Sequence, residues 1–176
     1  MKNVKKYKKF WANEFFDDED ILSHFESRQL PAIEDFHRYF TVKTFYGLKI
    51  FEQCCGNGDI LNIFEKQGAK VFGVDISEKS IYYGKKKYPK LENNLFFGDA
   101  RDCYFLDCDI VLNYYSSFGY FPKDEENVRI IEKAYKSLKN NGIFLLETLD
   151  LEYIKNNFKK EFKDRDFIRK SKLTNK

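Results

Sequence analysis

The sequence has few of the residues that build metal centres or disulfide frameworks. It contains four cysteines and two histidines in 176 residues. Cys54 and Cys55 are adjacent, while Cys103 and Cys108 are separated by a longer interval, and neither arrangement has the spacing of a zinc finger or ribbon. We therefore expect no metal site, and we expect the cysteines to be reduced thiols with small, buried side chains.

Long apolar runs and a strong charge of one sign are also missing. No window reaches the roughly 18 apolar residues that a membrane span needs. The lysine-rich residues 1–10 lack the apolar stretch of a signal peptide. The formal net charge is only +3, and lysine far outnumbers arginine. These features predict a cytoplasmic protein that does not enter membranes, and they give no electrostatic argument for a nucleic-acid partner.

What the sequence does have, from Leu48 onward, is a regular alternation of strand-like and helix-like segments. Such alternation predicts parallel strands joined by crossover helices, with each strand buried on both faces. The predicted fold class is therefore α/β, a mainly parallel sheet with helices on both faces. The predicted strands are 48–53, 70–75, 95–97, 109–113 and 143–147. The helix before the fifth strand covers 124–138 and ends in an Asn-Asn-Gly turn at 140–142, and residues 150–158 are a candidate for a further helix.

The two ends of the chain differ from this central region. Residues 1–46 have helical spacing of aromatic side chains and are predicted to form an N-terminal helical cap. Residues 47–158 form the predicted core domain. Residues 159–176 are dominated by charges, so we expect a C-terminal tail that is partly disordered or loosely attached.

An acidic residue is predicted at the end of each of the first three strands. Glu52 precedes a glycine-bearing turn at 54–58, and a turn of this kind lets the backbone approach a ligand closely. Glu52 itself can hold an ammonium group. Asp75 is placed to accept hydrogen bonds from ribose hydroxyls, and Asp99, after Gly98, can accept from an exocyclic adenine amine. The three positions together predict a nucleoside site.

A dinucleotide is a poorer fit to the same turn. A dinucleotide-binding loop uses a third glycine to seat the pyrophosphate, and that glycine is missing after Gly58. Asp59, near the start of the following helix, would also repel a pyrophosphate. A nicotinamide oxidoreductase therefore stays open only as a less favoured alternative.

Four segments in the right order and spacing now permit a comparison with a known family. Residues 52–58, 71–75, 98–99 and 140–146 resemble the successive motifs of class I S-adenosylmethionine-dependent methyltransferases. More narrowly, the chain resembles small bacterial methyltransferase-domain proteins of the methyltransferase-25 type, which share an aromatic helical cap and a strand-four segment like 112–121. The resemblance extends from about residue 10 to 158 and implies a Rossmann-like methyltransferase fold.

The resemblance also implies S-adenosylmethionine as cofactor and a role for each motif. Glu52 and the loop backbone would hold the methionine part, Asp75 the ribose, and Asp99 the adenine, while the end of strand four would lie near the transferring methyl. The cofactor-binding residues implied are Glu52, Cys54, Gly56, Gly58, Asp75, Ile76, Asp99, Ala100, Asn113 and Tyr114.

Two departures from the family pattern matter. The first glycine of the loop is replaced by Cys54. The chain also stops soon after the fifth strand, so strands six and seven are expected to be missing, and an exposed fifth strand predicts a homodimer through the sheet edge. A truncated or degenerate fold that serves as a binding or interaction module is therefore an alternative to an active enzyme.

The acceptor is predicted from the end of strand four. That place reads Asn113-Tyr114-Tyr115-Ser116, without the prolines typical of methyltransferases that act on nucleobase amines. We therefore expect a small-molecule acceptor, a sugar or another metabolite, methylated on oxygen or nitrogen, with an RNA methyltransferase as the less favoured reading. Candidates for a general base are His37 and Tyr115, and no catalytic residue is assigned.

Overall fold

A computed structural model describes residues 30–31, 33–148, 150, 152, 156–157, 161–164 and 167–170. Most of the predicted N-terminal cap, residues 1–29 and 32, lies outside the described residues. So do residues 159–160, 165–166 and 171–176 of the predicted tail. The described helices are all too short or too polar to span a membrane.

Helices and strands alternate through the centre of the chain, as the hydrophobic pattern predicts. The helices are α1 (Ile33–Phe40), α2 (Asp59–Lys66), α3 (Glu78–Lys87) and α4 (Asp124–Ser137), with a short 3₁₀ turn at Pro89–Leu91. The strands are β1 (Lys49–Gln53), β2 (Lys70–Asp75), β3 (Leu95–Phe97), β4 (Cys108–Asn113), β5 (Leu138–Leu146), β6 (Glu161–Asp164) and β7 (Phe167–Lys170).

The first five strands form one sheet in the order β3-β2-β1-β4-β5, and every pair in it is parallel. The α/β prediction is thus confirmed. The strand order reverses beside β1, since β2 lies on one side of it and β4 on the other. In open α/β sheets, ligands bind at the carboxyl ends of the strands at such a reversal.

Helices cover both faces of this sheet because neighbouring residues on a strand point to opposite sides. On one face, Ile50 packs in a core with Phe36 of α1 and Phe64 of α2. On the other face, Phe51 packs in a second core with Ala134 of α4. Each of these side chains is at most 1% exposed. Continuous apolar strands are therefore what this two-sided burial requires.

The start of β5 differs from the sequence-based prediction. The strand begins at Leu138, directly after α4, and continues through the Asn-Asn-Gly segment that was expected to be a turn. Asn141 has a φ of 63°, and the pairing register shifts between Cys108 and Ile110. Asparagine tolerates this left-handed backbone, so the segment forms an irregularity inside the strand instead of a separate turn.

Residues 161–164 and 167–170 form regular structure that the charge-rich sequence did not predict. β6 and β7 pair in an antiparallel manner, with Glu161 opposite Lys170 and Asp164 opposite Phe167. They form a two-stranded sheet of their own. Among the described residues, β5 is consequently the last strand on its side of the main sheet.

Candidate cofactor-binding site

The predicted site residues lie at the carboxyl edge of the sheet, close to the reversal of strand order. Gln53 registers with Val74 on one side and with Asn113 on the other. Asp75 registers with Phe97, two residues before Asp99. The structure therefore brings the ends of β1, β2, β3 and β4 to one edge, as the predicted nucleoside site requires.

Glu52 is a buried carboxylate without an ion-pair partner among the described residues. Its side chain is only 3% exposed, and its Oε2 atom has no hydrogen-bond partner among the described residues. Burial, with smaller contributions from Asp75 and Asp59, raises the pKa of this carboxyl well above its usual value. An unpaired buried carboxylate is costly, so the site would be stabilised by a ligand that brings a positive charge.

The glycine-bearing loop after β1 is fastened to the tip of β2. The amide of Gly56 donates to Asp75 Oδ2 at 2.8 Å, and the amide of Ser77 donates to Asp75 Oδ1 at 2.8 Å. A methyl group added to Gly56 would meet no atom within 4 Å, so open space lies beside the loop backbone. Asp75 thus fastens the loop after β1 and lies at the position that the sequence predicts for the ribose.

Cys54 lies within the electrostatic influence of all three predicted acids. Burial raises the pKa of its thiol, and the nearby carboxylates of Asp75, Asp99 and Glu52 raise it further. Cys54 also has a φ of 57°, a left-handed backbone that costs a non-glycine residue on the order of 1–2 kcal/mol. The cysteine thus occupies a position whose backbone suits the glycine of the family pattern.

Helix α3 supports the loop from behind through a close backbone contact. A methyl group added to Gly84 would lie 2.3 Å from the carbonyl oxygen of Asn57, a distance that no real side chain occupies. Gly58, at the start of α2, has a φ of 82°, and a methyl group added to it would lie 3.0 Å from Leu95 Cδ2. These glycines therefore fix the loop position by packing, while Gly56 leaves space open beside it.

Asp99 has a partner that the sequence reading missed. Its side chain is 3% exposed and forms a buried ion pair with Arg101, whose Nη2 lies 2.5 Å from Asp99 Oδ2. The motif Asp99-Ala100-Arg101 could have indicated this pair, because arginine is rare in the sequence. Ala100, which lies between Asp99 and Arg101 in the sequence, is buried. Ile76, which follows Asp75 in the sequence, is half-buried.

The end of β4 carries a second buried polar group. Asn113 is fully buried, and neither its Oδ1 nor its Nδ2 has a partner among the described residues. The carbonyl of Asn113 accepts from the amide of Glu147 at 2.9 Å, and Glu147 Oε2 accepts from the amide of Tyr115 at 2.8 Å. Glu147, which ties β5 to the loop after β4, was not predicted as a site residue.

A cleft of about 420 Å³ lies at the carboxyl ends of β4 and β5, with Tyr114 and Glu147 in its lining. Burial, followed by the charge of Glu147, raises the pKa of Tyr114 to about 12, so its hydroxyl keeps its proton at neutral pH and can donate a hydrogen bond. The lining combines a carboxylate with two aromatic rings and consists of Tyr39, Tyr114, Leu145, Leu146, Glu147 and Thr148.

The two candidate bases are placed differently. Tyr115 lies next to this cleft, with its ring centroid 4.9 Å from that of Tyr114. His37 belongs to α1, where its Nδ1 donates to the carbonyl of Val42 at 2.8 Å and its ring packs 4.6 Å from that of Phe45. These contacts give His37 a role in ending its helix. A catalytic role for either residue stays a prediction.

The sheet order, the glycine loop and the converging acids define a Rossmann-like protein of the methyltransferase type. A family model described as "Methyltransferase domain" (Methyltransf_25) matches residues 50–142. The chain belongs to this methyltransferase domain family. No curated protein matches the sequence significantly.

Solved structures support the same fold. The PH0226 protein from Pyrococcus horikoshii has a TM-score of 0.61 at 23% identity, with 92% of this chain and 75% of that chain covered. DesVI from Streptomyces venezuelae has a TM-score of 0.58 at 24% identity, with 66% and 49% covered. CalS10, an S-adenosylmethionine-bound amino pentose methyltransferase from Micromonospora echinaspora, has a TM-score of 0.54 at 14% identity, with 70% and 58% covered. The chain thus spans about half the length of DesVI.

Proposed function

We propose that the protein is an S-adenosylmethionine-dependent methyltransferase that acts on a nitrogen atom of a small molecule, such as an amino sugar. The observation that carries the proposal is the buried Glu52 carboxylate, whose Oε2 has no hydrogen-bond partner among the described residues, beside an open glycine loop. A ligand that joins an ammonium group to a nucleoside would neutralise the Glu52 carboxylate and would fill the open space beside the loop. The family and the fold of CalS10 support the same reading.

The donor, when bound, supplies a methyl group activated by a positively charged sulfur. Glu52 would hold the ammonium of the donor's methionine part, and the backbone at Gly56 would leave room for the rest of that methionine part. Asp75 would accept from the ribose hydroxyls, and Asp99 from the adenine amine. The protein's residues then have mainly to align the acceptor atom with the methyl group and the sulfur and to keep water away. Methyl transfer from such a donor needs little further covalent chemistry from the protein.

The cleft beside β4 favours a nitrogen acceptor. The aromatic rings of Tyr39 and Tyr114 offer faces that attract a cation, and the Glu147 carboxylate offers a negative charge. An amine that arrives protonated can lose its proton to such a carboxylate or to water before it reacts. A hydroxyl acceptor would need a stronger base, and the Tyr114 hydroxyl, with its pKa of about 12, does not serve as one at neutral pH.

Binding and transfer can be tested in sequence. Isothermal titration of the protein with S-adenosylhomocysteine is expected to show one site per chain, and transfer of labelled methyl to a panel of amino sugars is expected to exceed transfer to the matched hydroxy sugars. Absence of nucleoside binding would contradict the proposal and favour the binding-module alternative. Binding of NADH, or of RNA with a steep salt dependence, would favour the other two alternatives.

We also propose a homodimer in the cytoplasm that pairs through β5. This strand is the last of its sheet among the described residues, and Ile143 on it is 38% exposed. Exposed strand edges pair readily with other strands, and the four free cysteines suit a reducing compartment.

Light scattering tests the proposed dimer. The wild-type protein should give a dimer mass, and Ile143→Lys should give a monomer with unchanged circular dichroism. A wild-type monomer across a wide concentration range would contradict this proposal and leave the proposed chemistry unaffected.

A further inference from the structure

Arg101 is one of the largest fully buried side chains of the described residues, at 2% exposure. A buried guanidinium is costly unless all its donors are matched, so its contacts reveal what it holds. It contacts Asp99 at the end of β3 and Glu126 in the first turn of α4, with Nη1 2.7 Å from Glu126 Oε1. Its planar group also lies 4.1 Å from the ring centroid of Phe121, in the loop between β4 and α4.

The contacts with Asp99 fix that carboxylate from two directions. Arg101 Nε donates to both carboxylate oxygens at 3.0 and 3.1 Å, and Nη2 donates to Oδ2 at 2.5 Å. The backbone amide of Arg101 donates to Oδ1 at 2.9 Å. Three N–H groups of one residue therefore engage the Asp99 carboxylate, with the Nε–H shared between its two oxygens, and this fixes the orientation of the carboxylate.

The opposite side of Arg101 is held just as firmly. Asn127 on α4 clasps Phe121, because its Nδ2 donates to the Phe121 carbonyl at 2.9 Å and its Oδ1 accepts from the Phe121 amide at 3.2 Å. Phe121 and Glu126 thus form a rigid wall behind the guanidinium. Two carboxylates surround one guanidinium, so the cluster keeps one net negative charge, which suits an N–H donor and disfavours a carbonyl oxygen.

We propose that Arg101 is a positioning residue for base recognition: by fixing Asp99, it makes the site select a nucleoside with a 6-amino group over one with a 6-oxo group. The inference rests on the proposed function, since Asp99 is the residue proposed to meet the adenine. A hydrogen bond between a fixed carboxylate and an amine contributes about 10-fold to 100-fold in affinity, and its loss leaves a repulsion against the 6-oxo group.

The test compares two ligands that differ only at that position, S-adenosylhomocysteine and S-inosylhomocysteine, by titration. The wild-type protein should prefer the adenosyl compound by about 10-fold to 100-fold. Arg101→Lys keeps the positive charge but loses the planar set of guanidinium donors that holds both Asp99 oxygens, so the preference for the adenosyl compound should fall to about threefold or less. Arg129→Lys, in the neighbouring exposed pair with Asp102, is the matched control and should keep the wild-type ratio.

Each outcome separates the two proposals. If the wild-type protein binds neither compound, the proposed function fails and this inference falls with it. If Arg101→Lys weakens both compounds equally, or if it strengthens the adenosyl compound, the proposed function stands and Arg101 does not position Asp99 for recognition. Should Arg101→Lys fail to fold, Glu126→Gln is used instead, because it removes only the ion pair between Arg101 and Glu126. If the Glu126→Gln protein keeps the wild-type ratio of affinities for the two compounds, the inference is contradicted.

Discussion

Replacing Glu52 with glutamine is expected to weaken binding of S-adenosylhomocysteine by about 100-fold while stabilising the ligand-free protein. The affinity falls because a buried ammonium loses the carboxylate that neutralises it, a loss of on the order of 2–5 kcal/mol. The stability rises because a buried carboxylate, at 3% exposure and without an ion-pair partner among the described residues, is replaced by a neutral amide of similar shape. Thermal melting should show a midpoint about 2–6 °C higher.

The pH dependence of both effects follows from the raised pKa of Glu52. Because the folded pKa lies above the unfolded value near 4.5, the contribution of Glu52 to stability is fully present below that value and is lost as the pH rises through the folded pKa. A bound ammonium favours the ionised carboxylate, so donor affinity should increase with pH over the same window. Glu52→Gln should remove both slopes.

Glu65→Gln provides the matched control for Glu52. Glu65 lies on α2 and pairs with Lys90 at the surface, and such exposed pairs contribute little to stability. Its substitution should leave the affinity and its pH dependence unchanged and should shift the melting midpoint by about 1–2 °C at most. A Glu52→Gln protein that binds S-adenosylhomocysteine as the wild type does would exclude Glu52 as the partner of the ammonium.

The sequence was sufficient to predict the sheet and the position of the site because both depend on local patterns. Burial on both faces of the sheet gives β1 its apolar run. Parallel neighbours must be joined by a crossover helix, and the lengths of sequence between the strands are long enough to contain one. Glu52 and Asp75 lie at the carboxyl ends of β1 and β2, and Asp99 lies two residues after β3, so parallel pairing alone brings them to one edge of the sheet.

The contacts that complete the site could not be predicted, because they depend on side-chain packing between distant segments. Arg101 reaches Glu126 across 25 positions of sequence, and Glu147 reaches the Tyr115 amide across 32. The antiparallel pairing of β6 with β7 was missed because the segment around them carries many charges, which is also the composition of a disordered tail. Backbone pairing between two strands can supply the order that apolar burial supplies elsewhere.

Replacing Asp75 with asparagine is expected to have the second large effect, on the loop as well as on the ligand. Asp75 accepts from the amides of Gly56 and Ser77, one with each oxygen. Asparagine has a single acceptor oxygen, so its NH₂ group would face one of the two amides and repel it. Stability should fall by about 1–3 kcal/mol, since one backbone donor is left unmatched.

The same change removes the negative charge proposed to meet the ribose. Loss of two hydrogen bonds to a charged acceptor lowers the affinity for S-adenosylhomocysteine by about 100-fold or more, measured by titration at a temperature where the variant is folded. Asp59→Asn is the matched control: Asp59 begins the next helix, but its Oδ1 accepts only from the side chains of Tyr88 and Lys87 among the described residues. That variant should keep its affinity within about threefold. If both variants bind equally well, Asp75 does not hold the ribose and serves only to fasten the loop.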